Sequence, residues 1–124
     1  MVDLDTFFEG HPFARAVHDH VAVMVDSCGP AETRITKSQV AFRRRRGFAY
    51  IWIPGRYLAH PGADAVLSIA LRERIESRRW KEVVQPAPGT WMHHLEVLRL
   101  QDLDDEVNGW IRAAYASAGG ARSG

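Results

Sequence analysis

The spacing of hydrophobic positions changes along this chain, and each change marks an element. Asp3 to Gly10 has acids at its start, then Phe7-Phe8 and a glycine stop, which predicts one or two helical turns. His11-Pro12 opens a new element, with proline at the first helical position, where its missing N–H costs nothing. Phe13, Ala16, Val17, Val21, Met24, Val25 and Cys28 then recur at helical spacing, with Arg15, His18, Asp19 and Asp26 opposite, until Gly29-Pro30 stops the helix. Thr33 to Phe42 and Gly47 to Ile53 alternate and are rich in branched and aromatic residues, so they read as two arms of one hairpin from Lys37 to Pro54. Val66 to Arg72, Trp80 to Val84 and Trp91 to Leu98 read as further strands. Glu73 to Arg79 and Pro86-Ala87-Pro88-Gly89 read as turns. The last element is a helix. Asp102 is its expected N-cap, Asp104, Asp105 and Glu106 load the first turn, and Leu103, Val107, Trp110, Ile111, Ala114 and Ala118 form its stripe. Trp110 is expected to anchor the core, so Trp110→Ala should cost about 3–5 kcal/mol.

Strands in the middle and helices at both ends predict an α+β fold. The expectation is an antiparallel sheet of about four to five strands with the N- and C-terminal helices on one face. Residues 1–120 form one domain on this reading, and 121–124 a disordered tail. A four-residue loop at Arg44-Arg45-Arg46-Gly47 would pair Arg43 with Phe48, Phe42 with Ala49, Ala41 with Tyr50, Val40 with Ile51 and Gln39 with Trp52. Opposed residues share a face. Val40, Phe42, Ala49, Ile51 and Ile53, joined by Leu67, Ile69 and Leu71, then make an aliphatic face suited to helices. The other face carries Lys37, Gln39, Ala41, Phe48, Tyr50 and Trp52.

Composition adds little to this picture. The 124 residues are 46% hydrophobic and 25% charged, enough for a core without metal or disulfide staples. The one cysteine, Cys28, has no internal partner, no apolar run reaches membrane length, and Met-Val-Asp-Leu-Asp has neither part of a signal peptide. A cytoplasmic protein without membrane contact is expected. Charge patterning says more. Residues 1–31 carry one arginine against five acids, 32–81 carry twelve Lys/Arg against four, and 82–124 carry three against six.

Three chemistries follow from these placements. Lys37, Gln39, Tyr50, Trp52, Ser68, Arg72, His94 and Glu96 should project from the open face, as a small anionic or polar ligand would need. A protein partner or a second copy of the chain could cover that face instead. Arg43, Arg44, Arg45 and Arg46 at the hairpin tip, with Arg78, Arg79 and Lys81, form the alternative: a nucleic-acid surface with Tyr50 and Trp52 to stack bases. The bland counterpart is a solvated turn. His94 with Glu96 could do acid–base work, the third reading. The expectation is a binding domain without catalytic residues or cofactor. No metal site is expected either. His18 and His20 diverge on a helix, His93 and His94 point to opposite faces of a strand, and one cysteine makes no thiolate cluster. His11 is expected to cap or pack, and Cys28 to be a small core side chain.

Several stretches also carry a resemblance: Phe7-Phe8-Glu9-Gly10-His11-Pro12, Lys37-Ser38-Gln39-Val40-Ala41-Phe42, Gly47-Phe48-Ala49, Trp80-Lys81-Glu82-Val83, Met92-His93-His94-Leu95-Glu96 and Asp102-Leu103-Asp104-Asp105-Glu106. Together they resemble an uncharacterised bacterial domain-of-unknown-function family, number fifty-six fifty-five. The resemblance spans nearly the whole chain and implies a compact α+β domain, standing alone or at the C-terminal end of larger proteins. It implies no activity and carries over no functional residue.

Overall fold

The computed structural model describes residues 2–119, so the tail expected at 121–124 lies outside the described residues. Helices α1 (Leu4–Phe7) and α2 (Pro12–Cys28) precede strands β1 (Glu32–Ile35), β2 (Val40–Arg43), β3 (Gly47–Trp52), β4 (Ala65–Leu71), β5 (Glu82–Ala87) and β6 (Thr90–Val97), and α3 (Asp105–Gly119) follows. The architecture is α+β, with one antiparallel sheet of six strands in the order β1-β2-β3-β4-β6-β5. Six strands replace the expected four to five because the stretch from Thr33 to Phe42 is not one strand. It breaks at Thr36, whose hydroxyl accepts from the Ser38 and Gln39 amides and whose amide donates to the Gln39 carbonyl. A threonine that offers its backbone neighbours a local partner favours a turn over a ladder. β5 also runs on through Pro86, tolerated on an edge strand beside a pairing irregularity between Val84 and Ala87.

The hairpin register holds for Val40↔Ile51, Ala41↔Tyr50 and Phe42↔Ala49, then slips, so that Arg43 faces Gly47. The connection is the three arginines 44–46, and the extra residue in β3 forms a bulge. That bulge overturns the expected place of Phe48. Instead of the open face it enters the core, fully buried and edge-on to Tyr115 with ring centroids 5.5 Å apart.

The aliphatic face is buried as its pattern predicts. Val40, Phe42, Ala49, Ile51, Leu67, Ile69, Leu95 and Val97 share one cluster with Val17, Val21 and Val25 of α2 and Val107, Ile111 and Ala114 of α3. The polar side expected for α2 needs one correction. His18 is buried, stacked on Phe42 at 5.7 Å, and its Nδ1 lies 2.9 Å from Asp19 Oδ1. Asp19 feels burial that would raise its pKa, yet bonds from His18 and Arg15 outweigh it and hold the carboxyl below its ordinary value. Cys28 packs half-buried against the core, with Sγ on the Met24 carbonyl. His11 occupies the N-cap of α2 without a side-chain cap bond. Gly29 ends that helix at φ 145°, a conformation other residues rarely adopt, with Tyr115 lying over the place a Cβ would take.

Two expectations at α3 also change. Asp104, not Asp102, caps the helix by accepting from the Val107 amide at 3.2 Å. Asp102 instead closes the preceding 3₁₀ turn, taking the Leu98 and Arg99 amides on one carboxylate oxygen. Trp110 is half-buried and packs on Trp80 at 4.2 Å outside the main core, whereas the unforeseen Tyr115 is buried and donates to the Pro30 carbonyl at 2.8 Å.

Candidate functional site

The second face of the sheet follows from strand alternation. Ladder partners place Ala41 beside Tyr50, Tyr50 beside Ser68, Ser68 beside His94, and His94 beside Glu82. Trp52, Val66 and Glu96 lie on the same face one step along. A depression of about 400 Å³ opens there, lined by Ser38, Gln39, Tyr50, Trp52, Tyr57, Ser68, Met92 and His94. No residue of the three helices lines it. The loop after β3 folds across its rim, placing Tyr57 6.4 Å from the Trp52 ring.

Ser68 is the hub. Its side chain is 3% exposed, and Trp52 Nε1 donates to its oxygen at 2.9 Å. His94 Nδ1 lies 2.6 Å from the same oxygen. The indole can only donate, so the hydroxyl proton is free for the imidazole; with the ring as its Nε2–H tautomer, Nδ1 accepts that proton and both groups are satisfied. Burial is the main force holding the His94 pKa below its ordinary value. The nearby Glu82 charge acts against it, and His93 reinforces it. A neutral imidazole is the partner a neutral serine needs. His94 Nε2 has no hydrogen-bond partner among the described residues and is not sealed from solvent. The depression therefore presents the outer edge of His94 between aromatic walls, beside the polar groups of Ser38, Gln39, Tyr50 and Tyr57: Trp52 stands edge-on to His94 at 6.0 Å, and burial raises the pKa of the Tyr50 hydroxyl.

His93 shows the opposite use of an adjacent imidazole. It is fully buried on the helix side, accepts from the Ile75 amide on Nε2 at 3.0 Å, and has Nδ1 3.1 Å from the Trp91 carbonyl and 3.3 Å from the Ile69 carbonyl. Both ring nitrogens are spent on the backbone, and burial lowers its pKa. This residue holds the 72–81 connection in place and has no free atom for chemistry.

Of the open-face residues expected from the sequence, Gln39, Tyr50, Trp52, Ser68 and His94 meet in the depression. Lys37 does not; it is exposed in the β1–β2 turn. Arg72 does not either. Past the end of β4 the chain leaves the sheet, and Arg72 lines a separate hollow with residues of α3. Glu96 is on the right face but turns away from His94: its carboxylate rests against Gly62, and Lys81 Nζ stands 4.0 Å off. Met92 shares the face by simple alternation, a signal the sequence carries. Ser38 and Tyr57 sit in loops, where periodicity offers none.

Two exposed arginines of the tip reach α3. Arg44 donates to the Tyr115 carbonyl at 2.8 Å with its guanidinium over the Tyr115 ring, and Arg46 donates to the Ser117 carbonyl at 3.1 Å. The Arg45 amide takes the Ala118 carbonyl at 3.1 Å. The last turn of α3 has no basic residue of its own, so the tip supplies the cations its exposed carbonyls attract. Arg44, Arg45 and Arg46 all stay exposed, so the turn is solvated, but two of its side chains are also tied to α3. Arg43 lies 3.6 Å from Glu32. Arg79 holds the other end of α3, reaching Asp104 at 3.0 Å, Glu106 at 2.9 Å and the Asp102 carbonyl at 2.7 Å. Arg78 is exposed.

Among the described residues no group of three His, Cys, Asp or Glu side chains could hold a metal ion, and no helix is long and apolar enough to cross a membrane. No curated protein and no solved structure matches the chain. One family does, across both helical ends and the whole sheet between them: over residues 4–118 the chain belongs to the family described as Domain of unknown function (DUF5655).

Proposed function

We propose that this chain is a non-catalytic binding domain whose open sheet face takes a small, flat, hydrogen-bonding molecule. The observation that carries this reading is the Trp52–Ser68–His94 chain of hydrogen bonds. It spends the interior polar atoms on one another and leaves the outer edge of the His94 ring facing a hollow walled by Tyr50, Trp52 and Tyr57. The serine is no nucleophile in this arrangement, since its oxygen is buried and already accepts from an indole. Among the described residues Glu96 pairs with Lys81 rather than with the imidazole, which weighs against acid–base work at His94 and Glu96. Among the described residues no lysine, arginine or carboxylate lines the depression, so a neutral polar ligand suits it better than an anion. The nucleic-acid reading loses support because Arg44 and Arg46 serve one end of α3 and Arg79 the other, about 20 Å apart along a fifteen-residue helix.

The test is a titration of the protein with flat neutral probes such as nicotinamide, uridine and indole, read at the Trp52 indole N–H resonance. Saturable shifts, lost in Trp52→Ala and His94→Ala and kept in Arg45→Ala, are expected. Probes that leave this resonance unmoved sink the proposal. A protein partner is the second reading, favoured by the exposed apolar Tyr57, Leu58 and Val84 of the open side. Concentration-dependent mass in sedimentation would support self-association through them.

A further inference from the structure

We infer that the hollow between Arg46 and Arg72 is a separate binding site for a small carboxylic acid with an apolar body. It lies where the start of β3, the end of β4, the β5–β6 turn and the last turns of α3 meet, and encloses about 230 Å³. A cavity of about 150 Å³ holds a benzene ring, so this one has room for a ring and an acid group. Ala70, Leu71 and Pro88 supply apolar wall over the buried Phe48 and Ala118, and Thr90 contributes a hydroxyl. The bulge turns Phe48 inward beneath this wall, against Tyr115.

Charge points to the ligand class. Among the described residues two guanidinium groups line the hollow and no aspartate or glutamate does. Arg72 forms no ion pair among the described residues, and the one recorded bond of Arg46 goes from Nη2 to the Ser117 carbonyl. Its remaining N–H groups are open to an acceptor. The negative end of α3 does not oppose an anion here, because the tip already donates to the carbonyls of Tyr115, Ser117 and Ala118. Paired arginines beside an apolar wall match a carboxylate head on a compact hydrophobic body. The site shares no lining residue with the Trp52 depression, so neither proposal depends on the other.

The experiment is a ¹⁵N–¹H correlation titration of the full chain with sodium benzoate, using benzamide as the neutral isostere. Saturable benzoate shifts are expected at the amides of Gly47, Phe48, Arg72, Gly89 and Thr90. Benzamide should bind at least about tenfold more weakly, and the benzoate affinity should fall between about 20 and about 300 mM salt. Arg72→Gln, exposed and without a structural partner, should weaken benzoate about tenfold and leave the rest of the spectrum in place. Arg45→Gln, an arginine of the tip outside the hollow, should leave binding unchanged. The inference fails if benzoate gives no saturable shift, if the shifts fall at Trp52 and His94, if benzamide binds equally, or if Arg72→Gln binds as before.

Discussion

Adjacent residues of β6 show how much one step along a strand decides. His93 points into the core and spends both nitrogens on backbone groups, while His94 points outward and keeps one free. Between Trp52 and His94, the Ser68 hydroxyl accepts from the indole and bonds the imidazole Nδ1, two contacts that no alanine could make. Ser68→Ala should therefore strand the indole N–H and the imidazole nitrogen, costing about 1–3 kcal/mol in chemical denaturation. The Trp52 indole resonance should move with it. An unchanged midpoint and unchanged resonance would mean that the hydrogen-bond chain does not exist in solution. The faces of Tyr50, Trp52, Ser68 and His94 were legible in the sequence, since alternation alone sets them. Their meeting at one serine was not, because cross-strand partners depend on the order of the strands.

Elements are held by contacts from outside themselves. α3 ends with no cation of its own and is completed by a hairpin tip some seventy residues earlier in the chain, the separation between Arg44 and Tyr115. Replacing Arg44 and Arg46 together by alanine should cost about 1–2 kcal/mol, part of it recoverable against a high-salt reference. Loss of stability without change in oligonucleotide binding would mark these arginines as structural. Trp110 teaches the same lesson in reverse. Its place on the stripe of α3 predicts a core anchor, yet it packs half-buried on Trp80 with Arg79 5.8 Å away. Trp110→Ala should accordingly cost about 2 kcal/mol, less than a fully buried tryptophan. A loss as large as that of a core tryptophan would overturn this placement. The helical period sets which residues share a stripe but not how deep the partner surface lies under each of them.

Over the whole molecule, one buried and one half-buried imidazole tie stability to pH. His93 and His94 ordinarily titrate near 6.5, and burial lowers both in the folded state. As pH falls below that value the unfolded chain takes up protons that the folded chain refuses. Stability should be complete above about 6.5, decline below it, and level off only once the folded groups themselves protonate. The slope per group cannot exceed about 1.4 kcal/mol per pH unit. Melting at pH 7.5 and at pH 5, with His94→Gln as a comparison of shallower slope, checks this. Equal melting temperatures across that range would show that the two rings are not held neutral.

What the sequence determined by itself were the short-range properties: the helical stripes of α2 and α3, the strand alternation that splits the sheet into an aliphatic and an aromatic-polar face, and the hairpin pairing from Val40 to Phe42. Each depends on residues a few positions apart, where the periods of helix and strand act directly. Tertiary structure decided the rest. It broke the first β stretch at Thr36, turned Phe48 into the core, and sent Arg72 and Arg46 to one hollow while Tyr50, Trp52, Ser68 and His94 formed another. It also set the tip arginines on α3. These outcomes hinge on a one-residue bulge and on where the α3 carbonyls come to lie, and neither quantity is local to the residues it moves.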